Sequence, residues 1–312
     1  MVSYPLSHEE RTAFEPREKG LHSVTLAKIT YVNDRIKTYR LIIKDKSGVQ
    51  VCSSKPSPPP TICADCVGKF LPGQWLDVHV PGIKKAGGFT ITSSPRNASP
   101  VAANIRAEDV ESQPFIELAV QKSPDNPPAA WLWRPEEDIV GKDLTVRVGG
   151  SFVWPPPGVD ASTIKRVVFI AGGVGINPLI SILSYIRQEQ PLLDVRFLYS
   201  TKISSKGAQQ GEVLFLPRIL NLLSTPSGAE RQGKSRLELF LTGTWDGIGD
   251  FGSVLTQRID EAALSRAIDS QEKRQSSIFY VCGPRDMTDS IVEHLRGQDN
   301  IAPEQVLCEK WW

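Results

Sequence analysis

A buried strand, a glycine-rich turn and a helix follow one another within residues 166–178, and this order constrains the fold more than any other stretch. Residues 167–171 form an unbroken apolar run rich in β-branched side chains. Such a run is typical of a parallel strand buried on both faces. Three glycines follow, then Asn177, a predicted helix N-cap, and Pro178, which suits a first helical turn.

The backbone N–H groups of such a turn and the dipole of the helix both favour an anion. We therefore interpret the turn as a site for a dinucleotide pyrophosphate. The alternative is a tight turn that binds nothing, because Pro178 stands where the third glycine of the usual G-x-G-x-x-G pattern would be.

Strands and helices alternate through the rest of this half of the chain. Strands are predicted at residues 195–199, 237–241, 278–281 and 306–308. Helices are predicted at residues 179–188, 217–223, 253–267 (with Ser253 as N-cap) and 287–296. This alternation predicts a parallel sheet covered by helices, with its ligand at the carboxyl ends of the strands.

The first half of the chain contains short strands bounded by Gly, Pro, Asn or Asp. They are predicted at residues 24–32, 36–43, 75–80, 89–92, 115–120 and 144–148. Six such strands predict an antiparallel β-barrel, with residues 53–61 as an irregular proline-rich insertion and residues 154–158 as a linker. We expect a loose N-terminal segment at residues 1–20, a barrel domain at 21–157 and an α/β domain at 163–312.

Composition excludes several partners. The 312 residues carry a formal net charge of +1, so no basic excess points to nucleic acid. No apolar run reaches the length of a membrane span. The acidic N-terminus lacks the apolar core of a secretory signal, and five cysteines fit a reducing compartment. These features predict an intracellular protein, either cytoplasmic or mitochondrial.

Five stretches in order resemble one family, the ferredoxin–NADP reductase-like flavoproteins. They are residues 72–75 (PGQW), 89–95 (FTITSSP), 148–152 (VGGSF), 172–178 (GGVGINP) and 280–284 (YVCGP). Residues 127–131, 149–152 and 308–312 look closest to the oxidoreductase NAD-binding domain-containing proteins within that family.

The resemblance implies an NAD(P)H oxidoreductase with FAD on the barrel and a nicotinamide dinucleotide on the second domain. A hydride would pass from nicotinamide C4 to flavin N5, and electrons would then reach an external acceptor, either a small molecule or a redox protein. On the barrel, Phe89 would pack on the flavin ring and Thr90 would donate a hydrogen bond near N5. The remaining implied flavin contacts are Ile91, Thr92 and Ser93. The alternative is a plain barrel strand.

On the second domain, the resemblance places Cys282 beside the nicotinamide, as a catalytic residue together with Thr90. The alternative is a buried cysteine at the end of a strand. The implied dinucleotide contacts are Gly172, Gly173, Val174, Gly175, Ile176, Asn177, Pro178, Cys282, Gly283 and Pro284.

Three further residues complete the predicted cofactor site. Ser200 and Lys202 end the second parallel strand, where an acidic residue would favour NADH, so a polar and a basic residue favour NADPH slightly. Trp311 resembles the family's C-terminal aromatic residue, which stacks on the flavin. The alternative for Trp311 is packing against the barrel.

Two departures from the family pattern concern the flavin phosphates. The family's arginine two residues before the aromatic residue is Gly87 here, and the usual tyrosine is Phe89. The candidate replacements are a cationic side chain (Lys84, Lys85 or Arg134) or the backbone N–H groups of Gly87 and Gly88.

The family's lysine–glycine–serine segment, which caps the flavin phosphate, is replaced here by residues 127–131. Either Ala129 and Ala130 offer their N–H groups to the phosphate from the start of a short helix, or Trp131 and Trp133 simply pack in the hydrophobic core. The missing arginine at Gly87 and the missing hydroxyl at Phe89 motivate an alternative to the oxidoreductase, namely a non-catalytic dinucleotide sensor or assembly subunit on the same fold.

Cys63 and Cys66 form a CxxC pair without a second pair, so no metal site is predicted. A thiol protein that uses these two cysteines is a lesser alternative.

Overall fold

The computed structural model describes residues 7–44, 70–99, 113–203, 209–224, 235–243 and 254–311. The chain divides into two compact units, Met1–Val153 and Trp154–Trp312. Each unit contains one six-stranded sheet. The predicted insertion at residues 53–61 and the cysteines at 52, 63 and 66 lie outside the described residues.

The sheet of the first unit is antiparallel throughout. Its strands are β1 (His22–Asn33), β2 (Ile36–Ile43), β3 (Trp75–His79), β4 (Gly87–Thr90), β5 (Phe115–Gln121) and β6 (Asp143–Gly149). They follow the order β4-β3-β6-β1-β2-β5, and a bridge from Ile91 to Leu118 joins the two edge strands. The predicted six-stranded antiparallel barrel is therefore confirmed.

Side chains alternate between the barrel core and its outer face, as the period of a strand requires. In β2, residues Lys37, Tyr39, Leu41 and Ile43 are buried and their neighbours are half-exposed. Among its described residues, the first unit also has three short α-helices, α1 (His8–Arg11), α2 (Pro127–Leu132) and α3 (Glu136–Ile139).

Residues 7–20 pack on the outer face of the barrel, so the prediction of a loose segment is wrong for this part of residues 1–20. Ser7 caps α1 in a capping box with Glu10. His8 is 6% exposed, and its Nε2 lies 3.1 Å from an oxygen of Asp77, which is fully buried. Arg17 binds the same carboxylate at 3.0 Å. The Asp77 carboxylate, which is distant in the sequence, orders these residues, and their own polar composition gives no sign of this contact.

The sheet of the second unit is parallel. Its strands are β7 (Arg166–Gly172), β8 (Asp194–Ile203), β9 (Arg236–Gly243), β10 (Val254–Leu255), β11 (Ser277–Cys282) and β12 (Val306–Glu309). The order is β10-β9-β8-β7-β11-β12, which places β7 and β11 side by side in the sheet. Its helices are α4 (Ile176–Glu189), α5 (Leu216–Leu223), α6 (Glu261–Ile268), α7 (Gln271–Arg274) and α8 (Arg285–Arg296).

Two predicted boundaries in this unit are wrong. Strand β8 continues to Ile203 instead of ending at Tyr199, because it pairs with β9 along its whole second half. Helix α6 starts at Glu261 instead of near Ser253, because Val254–Leu255 adds a strand to β9. The side chain of Asp260 caps α6 by accepting a 2.8 Å hydrogen bond from the N–H of Ala263.

Across the described ranges, no helix combines the length and the apolarity needed to cross a bilayer.

Candidate functional site

The glycine-rich turn after β7 leaves a helix N-terminus without a side-chain cap. All seven residues of β7 are buried. Gly173 has a φ of +54°, which only glycine adopts readily, and its α-carbon faces open space. Helix α4 then starts at Ile176 with Gly175 as its N-cap, so the prediction of Asn177 as the cap is wrong. No acidic residue lies in the first turn of α4, and the dipole of this helix therefore favours an anion.

A second turn, after β11, packs directly on the first. Cys282 pairs with Ala171 in the parallel register of β11 and β7. A β-carbon on Gly175 would lie 2.3 Å from the carbonyl oxygen of Cys282, and one on Gly283 would lie 3.0 Å from the α-carbon of Gly172. The two backbones therefore touch where glycine leaves room. The structure brings the predicted residues of both turns together at the carboxyl edge of one sheet.

Cys282 faces a carboxylate that the sequence interpretation missed. The Cys282 Sγ is fully buried and lies 4.0 Å from Oε2 of Glu309, which is itself 9% exposed. The same Glu309 oxygen accepts a 3.1 Å hydrogen bond from Nε1 of Trp311. These contacts depend on the pairing of Cys282 with Glu309 between β11 and β12.

Burial raises the pKa of the Cys282 thiol well above its ordinary value, and the charge of Glu309 raises it further. The thiol is therefore neutral at physiological pH. A neutral, fully buried thiol is a poor nucleophile, so the surroundings of Cys282 do not favour covalent catalysis.

Ser200 and Lys202 lie on β8, beside the same turn. Ser200 pairs with Gly172 in the β7–β8 register and is half-buried. Lys202 lies two residues farther along the same face, pairs with Thr242 and is exposed. Both therefore lie at the carboxyl edge of the sheet, on the side of the turn away from Cys282.

The predicted barrel residues lie on and after β4. Phe89 is 8% exposed, belongs to the core cluster of the barrel and pairs with Leu76. Thr90 pairs with Trp75 and is 5% exposed. The Thr90 hydroxyl has no hydrogen-bond partner among the described residues, so it remains available to a ligand.

The residues after β4 are tied to β5. Ile91 is fully buried and bridges to Leu118. The Thr92 hydroxyl donates a 2.8 Å hydrogen bond to Oε1 of Glu117, and the Ser93 hydroxyl accepts one of 3.0 Å from the N–H of Glu117. The hydroxyls of Thr92 and Ser93 are therefore engaged by Glu117, and their hydrogen bonds fix the backbone that follows Thr90.

Thr90 belongs to the first unit and Cys282 to the second. The expectation that these two side chains face each other across bound cofactors stays a prediction, as does the stacking of Trp311 on a flavin.

The start of α2 does not offer the predicted N–H groups. Pro127 and Pro128 have no amide hydrogen, and the N–H of Ala129 donates to Oδ1 of Asn126 at 3.3 Å. The N–H of Ala130 donates to the carbonyl oxygen of Asn126 at 2.8 Å. The alternative of an amide site at Ala129 and Ala130 is therefore wrong.

The fold and the paired turns define a class of protein. An antiparallel barrel followed by a parallel α/β sheet is the two-domain fold of the ferredoxin–NADP reductase-like proteins. The ferredoxin NADP+ reductase of Neisseria gonorrhoeae with bound FAD and NADP superposes with a TM-score of 0.58 at 17% identity, over 95% of this chain and all of that one. The ferredoxin reductase in carbazole 1,9a-dioxygenase gives 0.61 at 14% identity, over 94% of this chain and 70% of that one.

The chain matches no protein-family model. It is 33% identical over 310 residues to human oxidoreductase NAD-binding domain-containing protein 1, over 98% of this chain and 84% of the human protein. The chain therefore belongs to the oxidoreductase NAD-binding domain-containing protein 1 family, as the sequence resemblance predicted.

Proposed function

We propose that the chain is an NAD(P)H-dependent flavin oxidoreductase that passes electrons to an external acceptor. Its family and its fold are both of the oxidoreductase type. The observation that carries the proposal is the contact of the two glycine turns, which holds an uncapped helix N-terminus beside the backbone of Cys282. That arrangement suits a dinucleotide, with the pyrophosphate at residues 172–178 and the nicotinamide at Cys282.

The barrel would hold the flavin, for which FAD is the proposed form. Phe89 and the unpartnered hydroxyl of Thr90 are the proposed ring contacts. The bound cofactors would supply the hydride chemistry, and the chain would orient both rings and exclude water. Burial and the charge of Glu309 would together hold the pKa of the Cys282 thiol above its ordinary value, and the indole N–H of Trp311 would fix the Glu309 carboxylate.

The test is to purify the full chain, add a flavin, and follow its visible absorbance after anaerobic addition of NADPH or NADH. We expect the nucleotide to bleach the visible absorbance of the flavin, and we expect this absorbance to recover when an electron acceptor is added. The alternative, a dinucleotide sensor or assembly subunit, predicts nucleotide binding by calorimetry without flavin reduction. The observation that favours the sensor alternative is that the N–H group of Ala129, predicted to bind the flavin phosphate, is already hydrogen-bonded to Asn126.

The proposed preference for NADPH depends on Lys202. Lys202→Ala is expected to raise the KM for NADPH by roughly threefold to tenfold and to leave the KM for NADH unchanged, since an exposed charge–phosphate contact is worth about 1 kcal/mol. Lys165→Ala is the control, because Lys165 is also exposed but lies at the amino end of β7. Equal effects of Lys202→Ala on both nucleotides would refute the assignment.

A further inference from the structure

One methionine covers the contact between the two glycine turns. Met287 lies in the first helical turn of α8, shortly after the turn that follows β11. A β-carbon on Gly172 would lie 2.9 Å from both Sδ and Cε of Met287, and one on Gly283 would lie 2.5 Å from Cε. The thioether therefore packs against both turns at once, in the space that the two glycines leave for it.

The position of Met287 is fixed by its surroundings. The neighbouring Thr288 donates its hydroxyl to the carbonyl oxygen of Gly283 at 3.2 Å, which holds the start of α8 on the turn after β11. Met287 itself packs against the hydrophobic cluster that includes Val281. Through its contact with Gly172, the side chain of Met287 also joins α8 to the turn after β7.

Met287 is half-buried, so small molecules in solution reach part of its side chain. The sequence contains two methionines, Met1 and Met287. Peroxides oxidise a thioether to a sulfoxide, which changes a flexible apolar side chain into a polar, chiral one. Because the sulfoxide oxygen requires a hydrogen-bond donor or water, the oxidised side chain is expected to rotate toward solvent and to leave the two turns.

We propose that oxidation of Met287 to the sulfoxide weakens dinucleotide binding, which makes Met287 a redox-sensitive positioning residue. The inference rests on the proposed function, since the two turns are the proposed dinucleotide site. Hydrogen peroxide is the oxidant. Its O–O bond breaks, an S–O bond forms at Sδ, and the sulfur gives up two electrons. The second peroxide oxygen leaves as water with both hydrogens.

The experiment treats the full chain with hydrogen peroxide and then with dithiothreitol, which reduces reversibly oxidised thiols and leaves the sulfoxide. Peptide mass spectrometry locates the added oxygen, and calorimetry measures NADPH binding. We expect the dissociation constant for NADPH to rise by about fivefold or more in protein oxidised at Met287. Methionine sulfoxide reductases should then return it to the value of the untreated protein.

Met287→Leu is the matched control, because leucine keeps an apolar side chain of similar volume and has no sulfur to oxidise. Each protein is compared with its own untreated sample. Peroxide should leave the NADPH affinity of Met287→Leu unchanged, although Met1 and all five cysteines are still present. Met287→Gln, which places a polar side chain of similar length against the turns, should raise the dissociation constant without any peroxide.

An equal loss of affinity in peroxide-treated Met287→Leu would assign the effect to another residue and overturn the inference. Oxidation of Met287 without a change in NADPH affinity would also overturn it, as would resistance of Met287 to peroxide that oxidises Met1. These three results leave the proposed function intact. If the untreated chain binds neither NADPH nor NADH, the proposed function itself fails, and the inference fails with it.

Discussion

Replacing Gly175 with alanine tests the contact between the two turns. The new β-carbon would lie 2.3 Å from the carbonyl oxygen of Cys282, 2.5 Å from its carbonyl carbon and 2.7 Å from the N–H nitrogen of Gly283. All three neighbours are backbone atoms of a turn between a buried strand and a helix, so no side-chain rotation relieves the overlap. The turns must separate by roughly 1.1 Å to bring the 2.3 Å approach to the 3.4 Å of an ordinary van der Waals contact. Such an overpacking defect costs about 1–3 kcal/mol.

We expect Gly175→Ala to lower the free energy of unfolding by that amount in urea denaturation. The dissociation constant for NADPH, measured by calorimetry, should rise by about tenfold or more, because both turns move away from the ligand position. Gly211→Ala is the matched control, since its β-carbon meets nothing within 4 Å and its backbone is not left-handed. A Gly175→Ala protein with the stability and nucleotide affinity of Gly211→Ala would refute the packing argument and the placement of the dinucleotide.

Three other predictions follow from single contacts. Burial alone would raise the pKa of Asp77, but hydrogen bonds from His8, Arg147 and Arg17 lower it to about 2. The ionised carboxylate therefore stabilises the fold by about 2 kcal/mol above pH 4, and this stabilisation is lost as the pH falls toward 2. Asp77→Asn should remove that slope from acid denaturation curves, and an unchanged slope would contradict it. Glu309→Gln should lower the pKa of the Cys282 thiol, which would still exceed its ordinary value because burial remains. Thiolate absorbance against pH measures this pKa when the other four cysteines (Cys52, Cys63, Cys66 and Cys308) are replaced with serine in both proteins, and a higher pKa in the Glu309→Gln protein would contradict the prediction. Asn126→Ala should destabilise the barrel by about 1 kcal/mol through loss of the α2 cap, whereas Asn126→Asp should not; thermal melts compare the two, and equal melting temperatures would contradict the cap.

Local hydrophobic patterns in the sequence predicted most of the strands, because buried positions are occupied by apolar residues. The apolar run of β7 and the alternation in β2 are both visible in the sequence, and both appear in the structure. The start of α6 was not predictable in this way, since Val254–Leu255 is apolar enough for either a strand or a helix. Its pairing with β9, which is a tertiary contact, decides for the strand.

The missed part of the candidate site depends on register between distant segments. Glu309 belongs to a short final strand, and nothing in the local sequence marks it as a neighbour of Cys282. The parallel pairing of β11 with β12 brings the two side chains to 4.0 Å. The buried Asp77 orders His8 and Arg17 by the same kind of long-range contact.

Glycines serve different physical purposes in the two halves of the candidate site. Gly175 and Gly283 let two backbones touch, whereas Gly87 and Gly88 make room for the rings of Phe89 and His8. Gly173 combines a left-handed backbone with open space, which leaves room for a ligand to approach; Gly82, Gly141 and Gly158 share this combination in turns outside the candidate site. A glycine-rich motif in the sequence does not show whether the protein fills the space beside the glycine or leaves it open to a ligand, because glycine indicates only that no side chain is present. What excludes it, a ligand or the protein itself, is decided by the fold. At Gly175, Gly87 and Gly88 the protein itself fills the space, whereas the space at Gly173 is open to the proposed dinucleotide.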